Sequence, residues 1–175
     1  MELINKLEKI VLGWVKNVPH LPVAGQKWLA ANVWWIALVG AVISGISALF
    51  ALVSVFSLAA FIGSVANTYY VVDPYSGFAV VKAIISLGFL VLSGAILAFS
   101  VKPLQNRQKK GWVLLFLSWL VSVVSVVISA VLSFSVFGFI AGLLFGGIFL
   151  AAAGYFILEI HAQFAHVKTT KHKTV

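Results

Sequence analysis

A small group of side chains near the end of the fourth apolar stretch has the residue types for acid–base or metal chemistry. Glu159 and His161 lie two positions apart, and His166 follows seven positions after Glu159. A general acid–base pair needs a proton donor and an acceptor side by side, and a zinc site needs at least three firm ligands. The spacing of these residues is too wide for a compact metal set. We expect a polar pair at the membrane surface and predict no metal, no cofactor and no catalytic residue.

Two further histidines stand in polar surroundings. His20 lies in the proline-broken run PHLP, and His172 lies in a basic tail. Solvation by water is the expected state of both, so neither is assigned a role.

Hydroxyl groups recur at helical spacing in the third apolar stretch, with intervals of four, three, four and four residues. At 3.6 residues per turn these intervals place all of them on one face of a helix. The residues are Ser118, Ser122, Ser125, Ser129 and Ser133. Such a serine stripe favours close packing between helices, and the alternative is a narrow wet path lined by the hydroxyls.

Glycines recur in the fourth apolar stretch at multiples of four residues. They are Gly138, Gly142, Gly146 and Gly154. Small residues at this spacing allow two helix backbones to approach closely in lipid, where no hydrophobic force drives helices together. The glycine face is therefore a candidate surface for packing within the chain or between copies of it.

The composition excludes a single soluble globule. Only 9% of the 175 residues are charged and 62% are hydrophobic, with a mean hydropathy of +1.12. A soluble domain carries roughly 25% charged residues, which it needs to cover its surface. The chain has no cysteine, so disulfides, thiol catalysis and iron–sulfur clusters are excluded as well.

We predict an all-α integral membrane protein with four transmembrane helices, because a span needs about 20 apolar residues. Asp73 and Pro74 form a typical helix start, with the aspartate as N-cap and the proline in the first turn. The predicted spans cover residues 33–56, 74–101, 112–134 and 137–158, within a transmembrane domain at 33–160.

The flanking segments differ in character. Residues 1–18 alternate apolar and polar positions at helical period and predict an amphipathic helix lying in the membrane interface. Residues 19–32 read as a proline-broken linker, and residues 161–175 as a basic cytoplasmic tail. A docking helix for a partner is the alternative role of the N-terminal segment.

Basic residues set the predicted orientation. With four spans, eleven of the twelve Lys and Arg residues fall on one side of the membrane, and Lys82 is the exception. The positive-inside rule then places both termini in the cytoplasm. The net charge of +8 fits attraction to anionic headgroups, and we predict no nucleic-acid partner. The residues expected at the membrane interface are Trp14, Trp28, Trp34, Trp35, Lys109 and Lys110. Trp112 is expected at the same level, and Trp119, deeper in the third span, is a candidate packing anchor.

The function predicted from these features is non-enzymatic. A small multi-pass protein of this kind acts by helix–helix association, as a scaffold or an accessory subunit, through a second copy or another membrane protein. The alternative is an oligomeric channel or passive transporter for a small solute, lined by the serine stripe. The predicted location is a membrane, either the bacterial inner membrane or, in a eukaryote, the endoplasmic reticulum. The last five residues, 171–175, resemble the K-x-K-x-x retrieval signal of proteins in that compartment.

Overall fold

The computed structural model describes residues 19–69, 74–133 and 135–165, together with Ile10 and Gly13. The predicted N-terminal amphipathic helix, Trp14, Asp73, His166 and the basic residues of the tail lie outside this part of the chain. The described part is helical throughout. Its elements are α1 (Val23–Tyr69), α2 (Pro74–Gln105), α3 (Lys109–Val131), α4 (Val136–Glu159) and the short α5 (His161–Ala165).

Four of these helices are long and apolar enough to cross a membrane. They are α1 to α4, which makes the protein a multi-pass membrane protein. The second helix begins at Pro74, where the sequence places its start, and it continues one turn beyond the predicted end at residue 101, through Pro103 to Gln105. The first helix differs more, because it begins at Val23 and ends at Tyr69. Residues 23–32, assigned to a linker from the sequence, are therefore helical, and only residues 19–22 precede the helix as an irregular segment.

The helices pack in chain order. Within the described residues α1 packs on α2, α2 on α3, and α3 on α4, whereas α1 and α4 do not pack together along their lengths. The four helices therefore form an open row, and the bundle has a gap between its first and last members.

Tight connections join the neighbouring helices. Arg107, at φ 51°, adopts the left-handed conformation in the turn between α2 and α3. A Cβ atom at Gly111 would lie 2.5 Å from the Leu104 backbone nitrogen, so only glycine allows α3 to start this close to α2. At the opposite end of α3 the hydroxyl of Ser135 accepts a hydrogen bond from Gly138 N and caps α4.

The buried core lies at the end of the bundle where α1 and α3 begin and α2 and α4 end. We call this the basic end, because it carries Lys27, Lys102, Arg107, Lys109 and Lys110, all of them exposed. Trp112 and Phe116 of α3 are fully buried there, with Ala30 and Val33 of α1 and Leu158 of α4 packed around them. Towards the opposite end of α1, Ala59, Phe61 and Gly63 are exposed. Contacts of Gly94 with Ser44, of Gly111 with Leu104 and of Ser118 with Ser93 set the helix registers, and they place the α3–α4 turn about level with residues 56–60 of α1 and 78–82 of α2.

Candidate functional site

At the basic end of the bundle, a buried carboxylate connects the last residue of α4 to the segment that begins α1. Glu159, the last residue of α4, has a side chain that is 1% exposed. Its Oε1 accepts a hydrogen bond from His20 Nδ1 at 2.6 Å. Its Oε2 accepts from Leu21 N at 3.0 Å and from Gln26 Nε2 at 2.9 Å. Three donors from the segment at the start of α1 therefore satisfy a carboxylate supplied by α4.

Two further hydrogen bonds strengthen this connection, which we call the Glu159 tie. Gln26 Nε2 also donates to Leu21 O at 3.1 Å, so both amide protons of Gln26 are used. Tyr155, one turn before Glu159, donates its hydroxyl proton to Pro19 O at 2.7 Å. The carboxylate also lies at the start of α1, where the helix dipole favours negative charge. The tie holds the chain entry into α1 against the end of α4.

The tie differs from the sequence expectation in the partner of Glu159 and in the state of His20. His166, the partner considered from the sequence, lies outside the described residues. His20 was expected to be merely solvated, but it binds Glu159 even though its side chain is 57% exposed. One signal could have indicated this: in an antiparallel four-helix row the end of α4 and the start of α1 lie on the same side of the membrane. A lone acidic residue there finds its donors in residues 19–26.

His161, the third residue of the candidate rim, packs against the core. Its ring stands edge-on to Trp112 with the ring centroids 4.5 Å apart. No three His, Asp or Glu side chains of the described residues come close enough together to hold a metal ion.

In the half of α3 nearer the basic end, the serine stripe packs against other helices of the protein. Ser118 is buried and donates to Ser93 O of α2 at 3.3 Å, and Ser122 donates to Ser118 O at 3.0 Å. Ser125 and Ser129 are half-buried, and Ser133 donates to Ser135 O in the turn before α4. The hydroxyls of Ser118 and Ser122 are therefore committed to backbone carbonyls.

The glycine face of α4 lies against α3 of the same chain. A Cβ atom at Gly146 would lie 2.6 Å from Val126 Cγ1, and one at Gly154 would lie 2.7 Å from the Trp119 ring. Gly142 approaches Ala130, and Gly138 approaches Ser133. All four glycines therefore make contacts within the chain, where Gly154 is buried and the other three are half-buried.

Two tryptophans of α3 donate hydrogen bonds to α4. Trp112 Nε1 donates to Ile157 O and Trp119 Nε1 to Leu150 O, each at 2.8 Å. Both donors and both acceptors are seven residues apart, so the bonds are two turns apart along the helix pair. Trp112 was expected at the membrane surface, but it is fully buried, because its indole is needed for this contact. Trp28 and Trp35 are exposed near the start of α1, Trp34 is half-buried beside Trp35, and Lys109 and Lys110 are exposed.

A cleft of about 540 Å³ lies between α1 and α4, with α3 as its floor. It extends from Trp28 to Gly40 along α1 and from Leu150 to Ile160 along α4. Its lining is apolar except for Ser118 and Ser122. Four lining residues are also exposed, which shows that the cleft opens sideways between the two helices; they are Trp28, Ile36, Ala153 and Phe156.

No protein-family model, no curated protein and no solved structure matches this chain. The account of function therefore depends on the geometry alone.

Proposed function

We propose that this multi-pass membrane protein works by association with another membrane-protein subunit, without catalysis. The observation that carries the proposal is the length of α1. No charged residue occurs between Lys27 and Asp73, and the uncharged part of α1 up to Tyr69 is about 62 Å long at 1.5 Å per residue. The hydrocarbon core of a bilayer is about 30 Å thick. Even a tilt of about 40°, the upper limit usual for such helices, leaves a projection of about 48 Å.

The excess length favours a contact surface on the part of the α1–α2 pair that reaches past the other two helices. We call residues 57–69 of α1 and 74–81 of α2 the two-helix extension. Its α1 part continues about 14–20 Å beyond the α3–α4 turn. Phe61 is 65% exposed and Val81 is 49% exposed. Where the extension projects beyond the hydrocarbon core, exposed apolar surface of this kind is typical of a protein-association site.

Small residues in the extension support close approach of a partner helix. Ala59 and Gly63 are four positions apart and exposed, and a Cβ atom at Gly63 would meet nothing within 4 Å. Small residues at this spacing let a second helix come near in lipid. In this proposal the glycines of α4 serve packing within the chain, and the two-helix extension supplies the surface that contacts the partner subunit.

The test is photo-crosslinking in native membranes from a reactive residue placed at Phe61, with Phe149 on the outer face of α4 as the control site. We expect one discrete adduct from Phe61 and none from Phe149, and the mass of the adduct separates a second copy from a different subunit. Gly63→Leu should suppress the adduct, whereas Gly147→Leu should not. Both glycines have open space around them, so neither change disturbs packing within the chain. A lack of any adduct from Phe61 would contradict the proposal.

The second candidate is an oligomeric channel or passive transporter lined by the serine stripe. It requires hydroxyls that are free to bind water along the middle of α3. The half-buried positions of Ser125 and Ser129 are the observation in its favour, and the committed hydroxyls of Ser118 and Ser122 favour association instead.

The proposal assigns no catalysis to the rim residues. The Glu159 carboxylate is buried and accepts three hydrogen bonds, which suits a structural role. Replacing Glu159, His161 and His166 together with Gln, Asn and Asn should leave the association intact if the protein folds. The proposal also places both termini and the basic end in the cytoplasm, in contact with anionic headgroups.

A further inference from the structure

The cleft between α1 and α4 has the length of one leaflet of a bilayer. Its lining spans twelve residue steps on α1 and ten on α4, which correspond to about 18 and 15 Å along the helices. Half of a hydrocarbon core measures about 15 Å. The cleft begins at the basic end, at Trp28 and Ile160, so it occupies the leaflet on that side.

The cleft is too narrow for a helix. A volume of about 540 Å³ over this length, with the radius of a water molecule added around it, gives a mean cross-section of about 65–70 Å². An α-helix with its side chains is about 10–12 Å across and has a cross-section of about 80–110 Å². A second copy or a partner helix therefore does not fit inside, whereas an extended hydrocarbon chain does.

The chemistry of the lining selects hydrocarbon over water. Ser118 and Ser122 are the polar residues of the lining, and both donate to backbone carbonyls. Among the described residues no buried side-chain nitrogen or oxygen lacks a partner. A water molecule needs two to four polar partners, and the lining offers only the acceptor oxygens of these two hydroxyls, one turn apart, so water does not fill the length of the cleft.

The charge at the mouth of the cleft selects the headgroup. Lys27 is exposed and adjoins Trp28, and four more exposed basic residues lie at the same end. Among the described residues, the acidic group at this end is Glu159, which is buried and bound by its three donors. The surface around the mouth is therefore positive and complements an anionic phosphate.

We infer that the cleft binds one acyl chain of an anionic phospholipid from the leaflet at the basic end. This inference is independent of the two-helix extension, which lies at the other end of the bundle. The bound chain fills the gap that the open row of helices leaves between α1 and α4.

The experiment uses the full chain reconstituted in bilayers that contain phosphatidylglycerol with a photoreactive group in one acyl chain. We expect adducts on the α3 floor, at Trp119 and Ser122. Ala153→Phe, which fills the cleft from α4, should abolish these adducts. Ala152→Phe is the matched control, because Ala152 is equally exposed but does not line the cleft, and it should leave them unchanged.

If Ala153→Phe does not fold, the positions of the adducts on the unsubstituted protein still test whether the acyl chain lies in the cleft. Labelling confined to the outer faces of α1 and α4 would overturn the inference, as would floor labelling that survives in a folded Ala153→Phe protein. Phosphatidylcholine with the same photoreactive chain should label the floor less. Lys27→Gln should reduce the preference for phosphatidylglycerol about fivefold, and equal labelling by the two lipids would overturn the anionic assignment.

Discussion

His20 and Glu159 are separated by 139 positions in the chain, yet His20 Nδ1 lies 2.6 Å from Glu159 Oε1. Since α1 and α4 do not pack along their lengths, the Glu159 tie is the main polar connection described between the two edges of the row. It joins the two edges at the basic end, and the cleft separates α1 from α4 from Trp28 and Ile160 onwards.

Removing the carboxylate should therefore destabilise the fold more than removing the histidine. Glu159→Ala leaves Leu21 N and Gln26 Nε2 without their acceptor, and we expect a loss of about 1–3 kcal/mol in the free energy of unfolding. His20→Ala removes an exposed partner and should cost at most about 1 kcal/mol. Unfolding of the purified variants in detergent measures both. Equal losses would contradict the structural role assigned to the buried carboxylate.

The glycines of α4 offer a comparison between adjacent positions. Gly146→Ala places a Cβ atom against Val126 and should cost about 1–3 kcal/mol through overpacking. Gly147 has nothing within 4 Å, so Gly147→Ala should not destabilise the protein. The two variants are compared by thermal unfolding. If Gly147→Ala destabilised the protein more than Gly146→Ala, the result would contradict the contact of the Gly146 face of α4 with α3.

The tryptophan hydrogen bonds should each contribute measurably. Trp112→Phe and Trp119→Phe remove donors to α4 carbonyls, and each should cost about 0.6–2 kcal/mol, the range for hydrogen bonds between membrane helices. Trp35→Phe, at an exposed position, is the control and should change stability by less than about 0.5 kcal/mol. If all three variants lost the same stability, the result would contradict a contribution from the hydrogen bonds of Trp112 and Trp119 to α4.

These cases show what the sequence predicts well and what it does not. The four helices follow from long uncharged stretches, and the start of α2 follows from Pro74, because both signals are local. The serine and glycine spacings correctly place residues on one helix face. They do not reveal whether the neighbour is another helix of the same chain, since that depends on tertiary packing.

Long-range partners were the features least accessible to prediction. Nothing in the run PHLP indicates that Leu21 N and His20 bind Glu159, because the pairing exists only once four helices are in place. The cleft could not be predicted from the sequence either, since it exists because α1 and α4 do not pack together along their lengths. The start of α1 was placed too late because the residues around Gln26 look like a linker when the hydrogen bond of Gln26 to Glu159 is unknown.

The orientation of the protein gives a further prediction. Asn106 lies in the α2–α3 turn at the basic end, and Ser135 lies in the α3–α4 turn at the other end. In the cysteine-free chain, a cysteine at Ser135 should react with an impermeant thiol reagent in sealed cells. A cysteine at Asn106 should react only after permeabilisation, because the positive-inside rule keeps the basic end in the cytoplasm. The reverse labelling pattern would show that the basic end lies outside the cell and would contradict the predicted orientation.

The central claim is that the protein associates through its surface and conducts nothing along α3. Single cysteines at Ser118, Ser122, Ser125, Ser129 and Ser133, treated with a membrane-impermeant thiol reagent in intact membranes, test it most directly. We predict labelling at Ser133, next to the α3–α4 turn, and none at the four deeper positions, because our proposal requires the stripe to be packed and dry. Labelling that continues through Ser129, Ser125 and Ser122 would reveal a water-filled path and would contradict the claim in favour of transport.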